Sequence, residues 1–186
     1  EVSKNERLIR TLIDMVTENN ASKKEFKVTE LNLTADILAN EVEPNIARAQ
    51  LHTTDVHYKL FVRLSDGLSE HLKENAKQWD GKELPDLPAS DLFIYRDSRE
   101  LWDLDIQTLV EKIKEAITDN GFLIIVGKNR LTEPEEALKS LLGTNNVMNS
   151  DLNKRIETLV NAITESGLRL IANKYDSVSM MAMMFR

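Results

Sequence analysis

The residues best placed to bind a ligand follow a short apolar segment near residue 30. Residues 26–31 read as a β-strand, and Glu30 is the acid near the end of that strand. In parallel α/β sheets, ligands bind beyond the carboxyl ends of the strands. Glu30 is therefore a candidate contact to a ligand, and the residues after it would form the ligand-binding turn.

Polar side chains occupy alternate positions of that turn, at Asn32, Thr34 and Asp36. Glycine suits such a turn because it has no Cβ and lets a ligand approach the backbone closely. No glycine occurs before Gly67, and the Asp36 carboxylate would repel an anionic group of a ligand. The segment therefore predicts a turn that has lost its ligand.

Two further acids could face the same edge of the sheet. Asp55 follows a second predicted strand over residues 47–54, and Asp80 follows Trp79 in a loop. Both acids could instead be surface residues at strand ends, and Trp79 could simply cover the core. The charged segment 97–105 has two readings as well, a solvated connection or a contact with a neighbouring domain.

The remaining residues with reactive side chains predict neither a catalytic residue nor a metal site. The chain has no cysteine, which excludes a thiolate nucleophile and a disulfide framework. Its three histidines are not spaced like metal ligands. The methionines of residues 180–184 would alternate between the two faces of a strand, which favours a core strand over a thioether metal site.

The elements that would position these residues alternate between helix and strand. This alternation predicts an α/β fold with a mostly parallel sheet, closed by a C-terminal antiparallel hairpin with a short turn. Residues 1–21 are predicted as an N-terminal helix that could belong to a neighbouring subdomain, and residues 22–186 as the main domain. The predicted helices are 4–19, 57–75, 104–118, 134–142 and 151–165, and the predicted strands are 26–31, 47–54, 91–95, 122–126, 168–173 and 177–185.

Charge and hydropathy narrow the classes of partner. The 186 residues carry a net charge of −7, and the 24 lysines and arginines are scattered, which argues against a nucleic-acid partner. No apolar run is long enough for a membrane span. Because the first residue is Glu1, we expect the chain to be part of a longer protein.

Four local motifs, in this order and spacing, resemble the pseudo-methyltransferase domain of animal-type fatty acid synthases. The resemblance covers residues 24–186, and the motifs are Gln78-Trp79-Asp80, Ala89-Ser90-Asp91-Leu92, Gly121-Phe122-Leu123 and Gly167-Leu168-Arg169-Leu170. Active S-adenosylmethionine-dependent methyltransferases carry an acid and then glycines at alternate positions. Aligned on Glu30, those glycine positions hold Asn32, Thr34 and Asp36.

The resemblance implies a Rossmann-like S-adenosylmethionine methyltransferase fold without catalytic residues and without a bound cofactor. Glu30, Asp55 and Asp80 would be vestigial cofactor contacts, with Asp55 at the position that binds ribose hydroxyls and Asp80 near the adenine. One alternative is an active methyltransferase domain of a fatty acid or polyketide synthase, and another is a stand-alone interaction module.

The resemblance also implies a parent protein. That protein would be a cytoplasmic, homodimeric fatty acid synthase that elongates acyl chains on an acyl carrier protein, using NADPH and phosphopantetheine. Within it, this domain would pack beside a pseudo-ketoreductase, with no role for nucleic acid or membrane.

Overall fold

The fold is a seven-stranded sheet with helices packed on it. The computed structural model describes residues 11–12, 14–16, 18, 24–32, 55–62, 70, 76–79, 83–96, 104–128, 137–138, 140–143, 145–175 and 180–186. The strands are β1 (Glu25–Asn32), β2 (Asp55–Val62), β3 (Ala76–Gln78), β4 (Ser90–Arg96), β5 (Ile117–Lys128), β6 (Leu170–Tyr175) and β7 (Met180–Phe185). Two helices are described along their length, α1 (Ile106–Ala116) and α2 (Asn145–Glu165).

The strand order is β3-β2-β1-β4-β5-β7-β6. Neighbouring strands from β3 to β5 are parallel, whereas β7 runs antiparallel to both β5 and β6. The prediction of an α/β fold with a mostly parallel sheet and a C-terminal antiparallel hairpin is therefore confirmed. The carboxyl ends of β1, β2, β3 and β4 meet at one edge of the sheet, the carboxyl edge.

Each face of the sheet packs against helical residues. On the helix face, strand residues such as Leu31, Phe93 and Leu123 pack with apolar residues of α1 and α2. On the N-terminal face, strand residues such as Val28 and Ile94 pack with Leu12 and Val16 of a helical segment before β1, among others. Coverage on both faces explains why β4 and the second half of β5 are almost continuously apolar.

Polar contacts at the amino ends of the central strands fix their relative positions. The Asp91 carboxylate accepts hydrogen bonds from the Lys27 backbone N–H at 2.9 Å and from the Thr118 hydroxyl at 2.8 Å. It therefore joins β1, β4 and the start of β5. The Thr29 and Ser90 hydroxyls lie 2.7 Å apart, which adds a second link between β1 and β4.

The start of the helix predicted over residues 57–75 is wrong. Residues 57–62 belong to β2 and not to a helix, and β3 was not predicted. Leucines at steps of four suggested a helix over residues 57–75, but the segment Asp55–Val62 alternates its side chains between the two sheet faces. Part of that leucine pattern and the predicted strand at 47–54 lie outside the described residues.

Two helix boundaries also differ from the prediction. Helix α2 starts at Asn145, before the predicted start at residue 151, and α1 ends at Ala116, before the predicted end at residue 118. Ile117 already belongs to β5, and so does Asn120, whose φ is 63°. The helical residues of the N-terminal segment pack on the sheet, while the boundary at residue 21 stays a prediction.

Candidate functional site

The carboxyl edge brings the ends of four strands into register. Asn32 lies opposite Val62 of β2 and opposite Arg96 of β4, and Val62 in turn lies opposite Gln78 of β3. Because parallel α/β sheets bind ligands beyond this edge, these positions define the candidate site. The Arg96 side chain there is only 4 % exposed.

Glu30 precedes this edge by two residues and is completely buried. Its side chain has 0 % exposure, and one carboxylate oxygen accepts a hydrogen bond from the Tyr58 hydroxyl of β2. Alternation along β1 places Glu30 on the N-terminal face with Val28, between Leu60 and Ile94 of the flanking strands. A ligand could reach this carboxylate only if the surrounding side chains moved.

Arg96 shares that face with Glu30. Since Asn32 lies opposite Arg96 and Glu30 opposite Ile94, Arg96 is one diagonal step from Glu30, a separation that long side chains can bridge. Burial of a charged group is costly unless the charge is compensated. This part of the sheet thus combines the buried Glu30 carboxyl group, the buried Arg96 guanidinium and the Tyr58 hydroxyl.

The structure contradicts the placement of Asp55 at this site. Asp55 is the first residue of β2 and lies opposite Glu25, the first residue of β1. It therefore lies at the amino ends of the strands, the opposite edge from the candidate site. The prediction placed Asp55 at the end of a strand, whereas β2 begins there. The first acid after β2 in the sequence is Asp66.

Several residues of the predicted ligand turn lie outside the described residues. They are Thr34 and Asp36, while Asn32 is described only as the last backbone position of β1. Asp80, the predicted contact after Trp79, also lies outside the described residues. Of the predicted cofactor contacts, Glu30 alone is therefore observed at the carboxyl edge.

Trp79 belongs to the hydrophobic core. It follows β3, is 8 % exposed, and packs in the same cluster as Phe61 on the helix face. Its backbone N–H donates to the Val62 carbonyl at 3.0 Å, which extends the pairing of β2 with β3. This geometry favours the reading in which Trp79 covers the core over a contact with an adenine.

Sequence reasoning missed Tyr58 and Arg96. Tyr58 was assigned to a helix, so its position beside β1 could not be foreseen. The predicted fourth strand ends at residue 95, one residue before Arg96, which is the last residue of β4. An alternating pattern in Asp55–Val62 was the available signal for Tyr58, and no comparable local signal marked Arg96.

Neither a metal site nor a membrane span is found in the described part of the chain. Among those residues, no three histidine, aspartate or glutamate side chains are grouped so that they could hold a metal ion. The helices described are also too short or too polar to cross a membrane.

Comparison with known proteins supports the fold class but no specific family or function. No protein-family model matches the chain, and no curated protein sequence matches it. A proposed S-adenosylmethionine-dependent methyltransferase from Methanococcus maripaludis is similar in structure, with a TM-score of 0.51, 14% identity, and coverage of 97% of this chain and 86% of that one.

Two other methyltransferases have comparable similarity. The precorrin-6y C5,15-methyltransferase of Geobacter metallireducens GS-15 gives a TM-score of 0.55 at 10% identity, covering 95% of this chain and 86% of its own. Human N-acetylserotonin methyltransferase, solved in complex with S-adenosylmethionine, gives 0.54 at 16% identity, covering 98% of this chain and 51% of its own. With the observed strand order, these likenesses show that the chain has the Rossmann-like methyltransferase fold.

Proposed function

We propose that this methyltransferase-like domain is a pseudo-methyltransferase: it has kept the fold, does not bind S-adenosylmethionine, and serves a structural role in a multi-domain fatty acid synthase. The observation that carries the proposal is the burial of Glu30. This acid is the one predicted cofactor contact found at the carboxyl edge, and it is completely buried.

Burial makes Glu30 part of the sheet. The Tyr58 hydroxyl donates to its carboxylate from the neighbouring strand, and Arg96 lies on the same face one diagonal step away. A cofactor that used Glu30 would first have to displace these packed groups. The burial of Glu30 therefore supports a site that does not take up the cofactor.

The composition of the following turn supports the same conclusion. Positions that would need glycine for close approach of a ligand hold Asn32, Thr34 and Asp36. Even a modest side chain at such positions occupies space that the ligand requires. A carboxylate at Asp36 would in addition repel the carboxylate of the cofactor's amino-acid portion.

The synthase context rests on the motifs that resemble animal-type fatty acid synthases. Three of them have packing roles that need no ligand. Asp91 joins three strands, Trp79 lies in the core, and Leu168 is a buried member of the same core cluster. Motifs retained for packing are expected in a domain whose remaining task is structural.

An active methyltransferase is the second candidate. It is favoured by the acid at Glu30 and by the human N-acetylserotonin enzyme, whose structure in complex with S-adenosylmethionine has a similar fold. In that case the turn after β1 would have to bind the cofactor through side chains and not through glycine backbone.

Calorimetric titration of the chain with S-adenosylmethionine and with its demethylated product distinguishes the two candidates. We expect no heat and no thermal shift at ligand concentrations up to about the millimolar range, which corresponds to binding weaker than about −4 kcal/mol. The human N-acetylserotonin enzyme, titrated in the same buffer, is the positive control. Micromolar binding would refute the pseudo-methyltransferase proposal.

A variant of the full-length parent chain tests the synthase context. Glu30→Gln keeps the shape of the side chain and should leave NADPH oxidation with acetyl and malonyl thioesters nearly unchanged. A parent chain that oxidises no NADPH with these substrates would contradict the synthase assignment. A large loss of turnover in a folded Glu30→Gln protein would contradict the purely structural role.

A further inference from the structure

Three lysines lie in a diagonal row across one end of the sheet. Lys27 of β1 lies opposite His57, Thr29 lies opposite Lys59 of β2, and Phe61 lies opposite Lys77 of β3. Lys27, Lys59 and Lys77 are therefore successive diagonal neighbours on the helix face, and this row is called the lysine diagonal. Steps of about 8 Å between diagonal neighbours give it a length of about 16 Å.

The lysine diagonal is accessible to a partner. Lys27 and Lys77 are exposed and Lys59 is half-buried, although most of the helix face around them lies under α1, α2 and a segment that includes Leu84 and Leu87. Both faces of a sheet with parallel strands are usually covered. This part of the helix face is therefore exposed to solvent, whereas most of the sheet is covered on both faces.

Lys59 and Lys77 hold their charges close together. The Lys59 ammonium lies 5.8 Å from the centre of the Phe61 ring, and Phe61 is the direct neighbour of Lys77 across the strands. Partial burial lowers the pKa of Lys59, and the nearby positive charge of Lys77 lowers that pKa further. Such crowding of like charges costs free energy unless an anion is close.

No carboxylate in the described part of the chain supplies that anion. Glu25 is on the same face, but its carboxylate lies 2.9 Å from the His57 imidazole and not beside a lysine ammonium. The positive charge of this row is also opposite in sign to the net charge of the chain, which is −7. A cluster of one sign on a protein of the other sign is a feature that selects partners by charge.

We propose that the lysine diagonal is a docking surface for an extended acidic segment of another protein. Charge complementarity identifies the partner. Alternate side chains of an extended strand repeat at about 6.6 to 6.8 Å on one face, close to the spacing of the three lysines. Acids at alternate positions could therefore meet all three ammonium groups, whereas a single phosphate is too small to span a row about 16 Å long.

Fluorescence anisotropy with a designed peptide tests the proposal. The probe is a labelled peptide in which glutamate alternates with threonine, and a glutamine–threonine peptide is its neutral control. We expect the acidic peptide to bind at low ionic strength, with affinity falling as salt screens the charges. Amide shifts in an NMR titration should map to β1, β2 and β3. If the acidic peptide does not bind, or binds no better than the neutral peptide, the proposal is wrong.

Matched charge reversals separate docking from a general effect of net charge. Lys59→Glu with Lys77→Glu should weaken binding by about tenfold or more, as expected for loss of complementary charges. Lys114→Glu with Lys154→Glu adds the same negative charge on exposed helix positions and should change the affinity by less than about twofold. If the Glu variant at the diagonal unfolds, Lys59→Gln with Lys77→Gln gives the same comparison.

Two results would overturn the proposal. Equal loss of affinity in the diagonal variant and in the helix control would mean that the peptide senses net charge alone. Displacement of the peptide by inorganic phosphate at matched ionic strength, with shifts confined to the neighbourhood of Lys59 and Lys77, would identify a small oxyanion site in place of a protein docking surface.

Discussion

Replacing Gly121 by alanine should destabilise the fold through a backbone clash. A Cβ built on Gly121 would lie 2.6 Å from Ile117 Cγ1, 2.8 Å from the Thr118 carbonyl oxygen and 3.3 Å from the Asp91 carbonyl oxygen. Two of these three atoms belong to the backbone and cannot be moved by a change of rotamer. Thr118 and Asp91 are also joined through their side chains, so displacing one disturbs the junction of β1, β4 and β5.

The expected cost follows from these contacts. Added atoms in a well-packed interior cost about 1–3 kcal/mol, and we expect about 3 kcal/mol because backbone atoms must shift. For a chain of this size, each kcal/mol lowers the melting temperature by about 2–4 °C. Urea unfolding and thermal unfolding, both followed by circular dichroism, measure the change.

Gly143→Ala is the matched control for Gly121→Ala. Gly143 has a φ of +70°, and a Cβ there would meet nothing within 4 Å, so only the left-handed backbone is strained, at a cost of about 1–2 kcal/mol. A loss below about 0.5 kcal/mol in Gly121→Ala, or a smaller loss than in the control, would refute the packing argument. It would also remove the structural reason for the Gly121-Phe122-Leu123 motif.

Two other substitutions test polar contacts. Asp91→Ala removes the acceptor of the Lys27 N–H and the Thr118 hydroxyl, and urea unfolding should show a loss of about 2–4 kcal/mol because hydrogen bonds to a charged group are broken; a loss below about 1 kcal/mol would contradict this role. Asp105→Asn keeps a side chain that can cap α1 but removes the charge. The Thr108 hydroxyl, followed by the Gln107 and Thr108 backbone N–H groups, lowers the pKa of Asp105 below its ordinary value of 3.8. The stabilising contribution of the charged Asp105 carboxylate is therefore complete above pH 3.8 and is lost as the pH falls through the lowered pKa. The difference in stability between wild type and Asp105→Asn should decrease in acid. A difference that does not change with pH would contradict this prediction.

Local sequence patterns predicted the central and C-terminal strands well. Strands β4 and β5 contain apolar runs bounded by turn residues, and such runs indicate strands covered on both faces. The C-terminal hairpin followed from two such runs with a short turn between them. In each case the relevant information lies within a few neighbouring residues, so it could be read without knowing the tertiary structure.

The candidate site was less predictable because its contacts join distant residues. Glu30 was correctly placed on the first strand, but its burial depends on Tyr58 and on the packing of the N-terminal face. Once Tyr58 was assigned to a helix, its bond to Glu30 could not be foreseen. Asp55 was predicted at the end of a strand, but it is the first residue of β2 and lies at the opposite edge of the sheet.

The position of β7 inside the sheet has a consequence for folding. β7 lies between β5 and β6, and its residues Met183, Met184 and Phe185 are almost fully buried. Until they are in place, β5 has an open apolar edge facing solvent. Contacts so distant along the chain slow folding, and an unpaired hydrophobic strand edge invites association with other chains. We therefore expect a folding intermediate that lacks β7 to be the most aggregation-prone state of this domain.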